Sequence, residues 1–376
     1  MKAIIKIIFN ILKCLLAVII FLFSIATLMG HSYLQTFFLW LLVIVMLYWP
    51  SVIREKWNKR VSTWTRLGSV VILFLASFLI FKPDPKTSIY ISDDLRIELM
   101  GIYDKNVTNW PEGTEDIYVE TQYGKVHLLA CGDINNPPLV MVHAASMGAH
   151  SWAENLAPLL DHYRIFSVDN IGEGNKSELS DPQYFPESQK EIADHFASIM
   201  DAIGVERSPL FGASNGGYVA MCYTYHYPER VESLSLFGPM GLTQLTGKSI
   251  MMLSIASMYP FPFLREWVTN WALGNNPYVN SAYGDWFNCI LKGTIPSLGM
   301  PVPMSTEQKA EMDLPVLLFL GTNDPIVGNP EIARETAEEY PHIRIEVLES
   351  GHLVAVEQAA YVNSVLTDFL GKADVR

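Results

Sequence analysis

The sequence predicts an α/β fold, a mostly parallel sheet with helices on both faces, preceded by an apolar region that spans a membrane. Three observations carry this. From about residue 116 onward, short apolar runs alternate with longer amphipathic segments, the pattern of strands joined by crossover helices. Several runs, Pro138–Val142 among them, are apolar throughout, as strands buried on both faces are. Ahead of them, residues 1–82 hold three apolar stretches without charge.

Composition narrows the function classes. The 376 residues carry a formal charge of −13, and half of them are apolar. Residues 1–82 contain nine Lys/Arg and one Glu, whereas the remainder holds 17 basic and 38 acidic residues. A domain this acidic, with no basic stripe, is not built for nucleic acid. Cys14 lies in the first apolar stretch and leaves Cys131, Cys222 and Cys289, an odd number at wide spacing. Neither a disulfide framework nor metal-ligand spacing results, so no metal and no organic cofactor are expected. Cys222 reads as a small core residue.

The three apolar stretches run over residues 14–30, 33–49 and 67–81. Each is a little short of the roughly 20 residues that span a bilayer, but flanking Trp, Tyr, Lys and Arg extend them. Lys2, Lys6 and Lys13 before the first stretch suit a secretory signal, yet no small-residue cleavage site precedes the second. No polar face interrupts any of the three, which argues against buried helices of a soluble domain. The N-terminus and the loop Arg54–Arg66 are basic and belong on the cytoplasmic side. Three crossings then deliver the rest of the chain to the extracytoplasmic side. Residues 1–82 are therefore expected to be a membrane anchor. Residues 83–115 form a Pro-marked linker and an amphipathic helix, with apolar spacing over Ile89–Tyr103.

From residue 116 the elements come in order. Ile117–Val119 and Val126–Ala130 form a hairpin turning at Tyr123-Gly124, Pro138–Val142 and Arg164–Val168 are strands, and a helix runs from about Pro186 to Ile203. The strand Ser208–Phe211 leads into Gly212-Ala213-Ser214-Asn215-Gly216 and a helix to Tyr227. Val231–Phe237 is a strand, followed after a long insertion by the strand Pro315–Leu320, a helix Glu331–Glu339, the strand Ile343–Val347 and a final helix Ala355–Leu370. The G-x-S-x-G between strand and helix has a steric reason. So sharp a turn leaves room only for very small side chains two positions either side of the serine. It also lifts the serine to a helix N-terminus, where outward N–H groups suit an oxyanion.

Residues 116–371 resemble the α/β-hydrolase family. Five motifs occur in its order: His143-Ala144-Ala145 after the third strand, Asp169 to Ser177 as a D-x-x-G-x-G-x-S loop, the Gly212–Gly216 elbow, Gly321-Thr322-Asn323-Asp324 to Val327, and Gly351-His352. The resemblance implies a catalytic domain over 116–376 with a helical cap insertion at 240–312. It also implies a serine hydrolase using Ser214 as nucleophile, His352 as base and Asp324 as the acid that orients it. The residues suit those roles. A serine needs a base. His352 sits on a flexible loop after the last strand, and Asp324 follows an apolar strand at the edge where such sheets bind ligands. Asp324 taken alone is as much a turn former as an acid; the other two members raise its claim. The oxyanion hole falls to the backbone N–H groups of Asn215 and Ala145. Ala144 stands where the family has glycine, which disfavours φ > 0 there. Asp169 shapes a loop in the family and His143 anchors the oxyanion loop, while His162, His195, His226 and His342 fall on expected helix ends and surfaces.

The insertion is rich in Met (Met251, Met252, Met258, Met300, Met304) and Trp (Trp267, Trp271, Trp286), a composition that packs and also suits an adaptable apolar pocket. The expected activity is cleavage of a small, apolar carboxylic ester by a membrane-anchored serine hydrolase. Amidase, thioesterase and C–C hydrolase chemistry use the same three residues, and a non-catalytic binding or sensor protein is the rival from another class. The bilayer is an expected partner; nucleic acid is not.

Overall fold

The computed structural model describes residues 88–243, 276–299 and 301–373, together with 248, 249, 252, 267, 268 and 270–273. The expected membrane spans lie outside the described residues; among those described, no helix is long and apolar enough to cross a membrane. The chain divides into two units, Met1–Pro85 and Lys86–Arg376, and every described residue belongs to the second.

Helix α1 (Asp93–Val107) starts where the Ser92 side chain accepts from the Leu95 N–H, with Asp93 and Asp94 in the first turn favouring its positive end. It lies a few residues later than its apolar spacing suggested. It buries Leu99 and Tyr103 against the catalytic fold, so this amphipathic helix is part of that fold's core. Strands β1 (Glu115–Thr121) and β2 (Gly124–Cys131) pair antiparallel across a two-residue turn, with Thr121 opposite Gly124. Then come β3 (Pro138–Val142), a 3-10 turn over Ala149–Trp152, the short α2 (Ala153–Leu156), β4 (Arg164–Val168) and the two-residue β5 (Glu178–Leu179). Helix α3 (Gln189–Ala202) opens with a capping box between Ser188 and Glu191. Strand β6 (Ser208–Ala213) runs into α4 (Asn215–His226), and β7 (Val231–Phe237) comes next. Within the insertion lies α5 (Pro277–Gly293), capped by Asn276. After it come α6 (Thr306–Glu311), β8 (Val316–Gly321), α7 (Pro330–Ala337) and β9 (Ile343–Leu348). The C-terminal helix expected as one piece is two, α8 (Val354–Glu357) and α9 (Ala359–Ala373), broken at Gln358.

The sheet order is β1-β2-β4-β3-β6-β7-β8-β9, with β5 against β2. The six strands β3, β4 and β6 to β9 are parallel, and β1, β2 and β5 make the antiparallel end. Alternation within single strands fills both faces. In β8, Val316, Leu318 and Leu320 face a core shared with α3, α4 and α7, while Leu317 and Phe319 face one shared with α1, α5, α8 and α9. Connections leave β3 towards β4 and β6 towards β7, so the strand order reverses between β3 and β6. The crevice at that reversal is where open α/β sheets hold ligands, and the carboxyl ends of these two strands lead to His143–Ser146 and to Ser214.

Candidate active site

Ser214 occupies a backbone conformation of φ 50°, ψ −116°, one of two non-glycine residues with positive φ among those described. Such strain costs roughly 1–3 kcal/mol and persists only where the surroundings impose it. Here they do. A Cβ on Gly212 would lie 2.6 Å from the Gly216 carbonyl oxygen, and one on Gly216 would lie 2.3 Å from the Val142 carbonyl oxygen. Both glycines are required by close approach, and the second shows how tightly the end of β3 sits on the elbow.

Three elements bring the expected residues together. Ser214 directly follows β6, Asp324 follows β8, and His352 follows β9, 138 residues beyond the serine in sequence. The His352 Nε2 lies 2.8 Å from Ser214 Oγ, and its Nδ1 lies 2.7 Å from Asp324 Oδ2. An ionised carboxylate only accepts, so Nδ1 carries the proton and Nε2 faces the serine hydroxyl with its lone pair. All three side chains are buried. Burial works against the Asp324 charge, but the His352 ring and the Ile326 and Val327 N–H groups, at 2.8 and 3.0 Å from Oδ1, hold its carboxyl below the usual range. The histidine loop is itself anchored: Glu357 accepts from the Gly351 N–H at 2.9 Å and from the Asn276 side chain at 3.2 Å.

Asn215 is the first residue of α4, so its N–H is among those a helix leaves without an intrahelical acceptor. Ala145 lies in the loop after β3. His143 fixes that loop by donating from Nδ1 to the Ala144 carbonyl (2.8 Å) and accepting at Nε2 from the Asn170 N–H (2.9 Å). Positive φ falls at Ser146 (60°), two residues beyond the alanine that replaces the family's glycine, so the Ala144 substitution meets no left-handed backbone. The Trp286 indole of α5 donates to the Ser146 carbonyl at 2.9 Å. Of the Met and Trp set in the insertion, Met252, Met304 and Trp286 are buried and Trp267 is half exposed; Met251, Met258 and Met300 lie outside the described residues.

Asp169 does shape its loop. Fully buried, it accepts from the Ala149 N–H (2.6 Å), Tyr103 Oη (2.9 Å) and His127 Nδ1 (2.7 Å). Sequence reasoning passed over His127, which the chain supplies from a strand with no motif, and over Glu173, a position the glycine-loop motif leaves unspecified, which is buried. His195 corrects an expectation. It is buried within α3, edge-on to Tyr123, because it projects from the inner face of a helix whose apolar residues Ile192, Phe196 and Ile199 line the same side.

Among the described residues no cluster of His, Cys, Asp and Glu could hold a metal ion. A crevice beside Ser214 and His352 is lined by Met147, Trp152, Phe237, Leu353 and Val356.

Comparison with known proteins agrees with this architecture. Residues 137–273 match the family described as alpha/beta hydrolase fold. The chain is 28% identical over 291 residues to the Bacillus subtilis (strain 168) protein named uncharacterized carboxylesterase nap, covering 71% of this chain and 90% of that one. It is 26% identical over 286 residues to carboxylesterase YbfK of the same organism, covering 71% and 92%. The crystal structure of naproxen esterase (carboxylesterase NP) from Bacillus subtilis superposes with a TM-score of 0.68 at 26% identity, over 74% of this chain and 99% of that one. The chain is an enzyme of the α/β-hydrolase fold with carboxylesterases among its relatives.

Proposed function

We propose that this α/β-hydrolase-fold enzyme is a serine carboxylesterase that works through an acyl-enzyme on Ser214. The observation that carries the reading is the line of contacts Ser214 Oγ to His352 Nε2 to Asp324, at 2.8 and 2.7 Å. Oγ attacks the ester carbonyl carbon while Nε2 takes its proton, and the carbonyl oxygen becomes an oxyanion received by the Asn215 and Ala145 N–H groups. Asp324 stabilises the imidazolium so formed. Collapse of the intermediate breaks the bond to the alcohol oxygen, which leaves with the proton from Nε2. Water then repeats the sequence, its proton passing to His352 and its oxygen to the acyl carbon, and Ser214 is released. The apolar crevice beside the serine suits an apolar group on the substrate, and the carboxylesterases among the relatives favour an ester over an amide, thioester or carbon–carbon bond.

Fluorophosphonate labelling of the full chain, followed by a panel of p-nitrophenyl esters, thioesters and anilides of graded acyl length, tests this. Ser214-dependent turnover of esters above the other classes is expected. Unchanged labelling of Ser214→Ala would overturn it.

The same enzyme is proposed to be anchored by residues 1–82 with its catalytic unit on the extracytoplasmic side, on the strength of the three uncharged stretches and the basic segments flanking them. A cysteine at Asp84 or Lys86 should then react with an impermeant maleimide in intact cells, and one at Asn58 should not. The reverse pattern places the catalytic unit in the cytoplasm.

A further inference from the structure

Glu173 lies in the Gly172–Gly174 turn with 1% of its surface exposed, and among the described residues it takes part in no ion pair. A buried carboxyl without a cation is costly unless donors surround it. Two of its donors come from the segments that flank Ser214. Oε2 accepts from the Ser146 N–H at 2.7 Å, in the loop after β3, and Oε1 accepts from the Asn215 side-chain amide at 3.3 Å, at the start of α4. Ser146 is the loop residue held at φ 60°, and its carbonyl, in the following peptide, accepts from the Trp286 indole. Such a backbone conformation in a serine stands only where its surroundings over-determine it.

We propose that Glu173 is a positioning residue of the oxyanion hole, tying Ser146 to Asn215 so that the Ala145 and Asn215 N–H groups converge on the same oxygen. The inference rests on the serine-hydrolase reading above. It makes a position that the glycine-loop motif leaves unspecified part of the machinery, acting through the backbone and not on the substrate. Charge matters to the role. The groups facing the carboxyl are the Ser146 N–H from the loop, Asn215 from α4, and Asn170 with the buried Asp169 from the segment after β4; α5 contributes the uncharged Trp286 behind Ser146. Burial, helped by Asp169 and opposed by the three donors, pushes the Glu173 acid up to about 8. At neutral pH it is therefore an uncharged strut. Above that range it ionises and sets a negative charge against the place where the oxyanion forms.

The test is steady-state hydrolysis of p-nitrophenyl acetate from pH 6 to 9.5 by the full chain. Wild type, Glu173→Ala, Glu173→Gln and Ser214→Ala are compared, with active sites counted by fluorophosphonate and folding checked by thermal melting. Loss of one oxyanion donor costs about 10²–10³ in kcat, so loosening two is expected to lower kcat of Glu173→Ala by about tenfold to a hundredfold, with KM changed less than threefold. Glu173→Gln, which keeps an acceptor for the Ser146 N–H, should recover part of that loss. A fall in kcat above about pH 8 is expected in the wild type, and Glu173→Gln should lack it. A kcat per labelled site in Glu173→Ala within threefold of wild type, or the same alkaline fall in Glu173→Gln, would overturn the proposal. Ester turnover that survives in Ser214→Ala would instead sink the hydrolase reading, and this inference with it.

Discussion

Two Asp–His pairs stand in this sheet, alike in most respects. His352 meets Asp324 and His127 meets Asp169, each through Nδ1 at 2.7 Å, and all four side chains are buried. They differ in what the second ring nitrogen faces. His352 Nε2 faces the Ser214 hydroxyl at 2.8 Å, while His127 Nε2 faces a second carboxylate, Asp116, at 2.8 Å. A ring between two carboxylates must donate from both nitrogens and has none left to accept a proton. A ring between a carboxylate and a hydroxyl can accept one. Tyr103 and the N–H groups of Ala149 and Lys176 also donate to Asp169, making that pair a tie between α1, β2 and the 3-10 turn. An Asp–His contact is therefore not in itself a sign of catalysis; the third group decides.

The largest effects should separate the two pairs. Ser214→Ala and His352→Ala are each expected to lower ester turnover by about 10⁴–10⁶, with the fold retained by circular dichroism. His127→Ala should instead leave turnover per labelled site within about tenfold of wild type, since its ring has no free nitrogen to serve as a base. Its loss is in stability, because Asp169 keeps a buried charge without its partner. Failure of the folded His127→Ala protein to label would break the comparison.

The acids sharpen it. Asp324→Asn should cost about 10³–10⁴ in kcat, since the amide no longer holds the Nδ1 proton that leaves Nε2 free to accept. Asp169→Asn should lower unfolding free energy by about 3 kcal/mol, the scale for breaking a buried pair. Urea denaturation followed by tryptophan fluorescence measures the second, and turnover per labelled site the first. Equal kinetic losses in both variants would mean that the pairs share a role.

A smaller effect comes from two buried histidines outside both pairs. Neither ring nitrogen of His150 or His195 has a hydrogen-bond partner among the described residues. Burial lowers their pKa values to about 3 and about 4, from 6.5. Native rings stay neutral while unfolded rings take a proton below about pH 6.5, so stability is full above that pH and declines as pH falls towards 4 and 3. At pH 5 each ring should account for about 2 kcal/mol of the decline. Replacing His195 by Phe should flatten the profile of unfolding free energy against pH between 6.5 and 4. A slope unchanged by that substitution would assign the acid sensitivity elsewhere.

What could be read from the chain alone was whatever depends on neighbours in sequence. Pro138–Val142 is a strand with the limits its apolar pattern suggested, because a strand buried on both faces is written as an unbroken apolar run. Val231–Phe237 also keeps its expected limits, although Glu232, Ser233 and Ser235 interrupt its apolar residues. The elbow was legible because a strand that turns at once into a helix leaves a short glycine signature. The crowding of Gly212 is local, against Gly216 and Gly217, while that of Gly216 comes from the end of β3. Ser214, Asp324 and His352 could be picked out because each follows a strand at the same sheet edge. Tertiary structure alone decided what depends on distant partners. His127 became part of a tie only when β2 was laid against β4 and α1 brought Tyr103 to Asp169. Glu173 and His195 are polar letters in segments that look exposed, and nothing local records that a helix or a loop folds over them. Positive φ went to Ser146 and not to Ala144, since the turn is set by Glu173 on one side and Trp286, 140 residues away in sequence, on the other. Burial and partner choice are properties of the assembled sheet and its helices, and a one-dimensional pattern carries them only where the chain meets itself nearby.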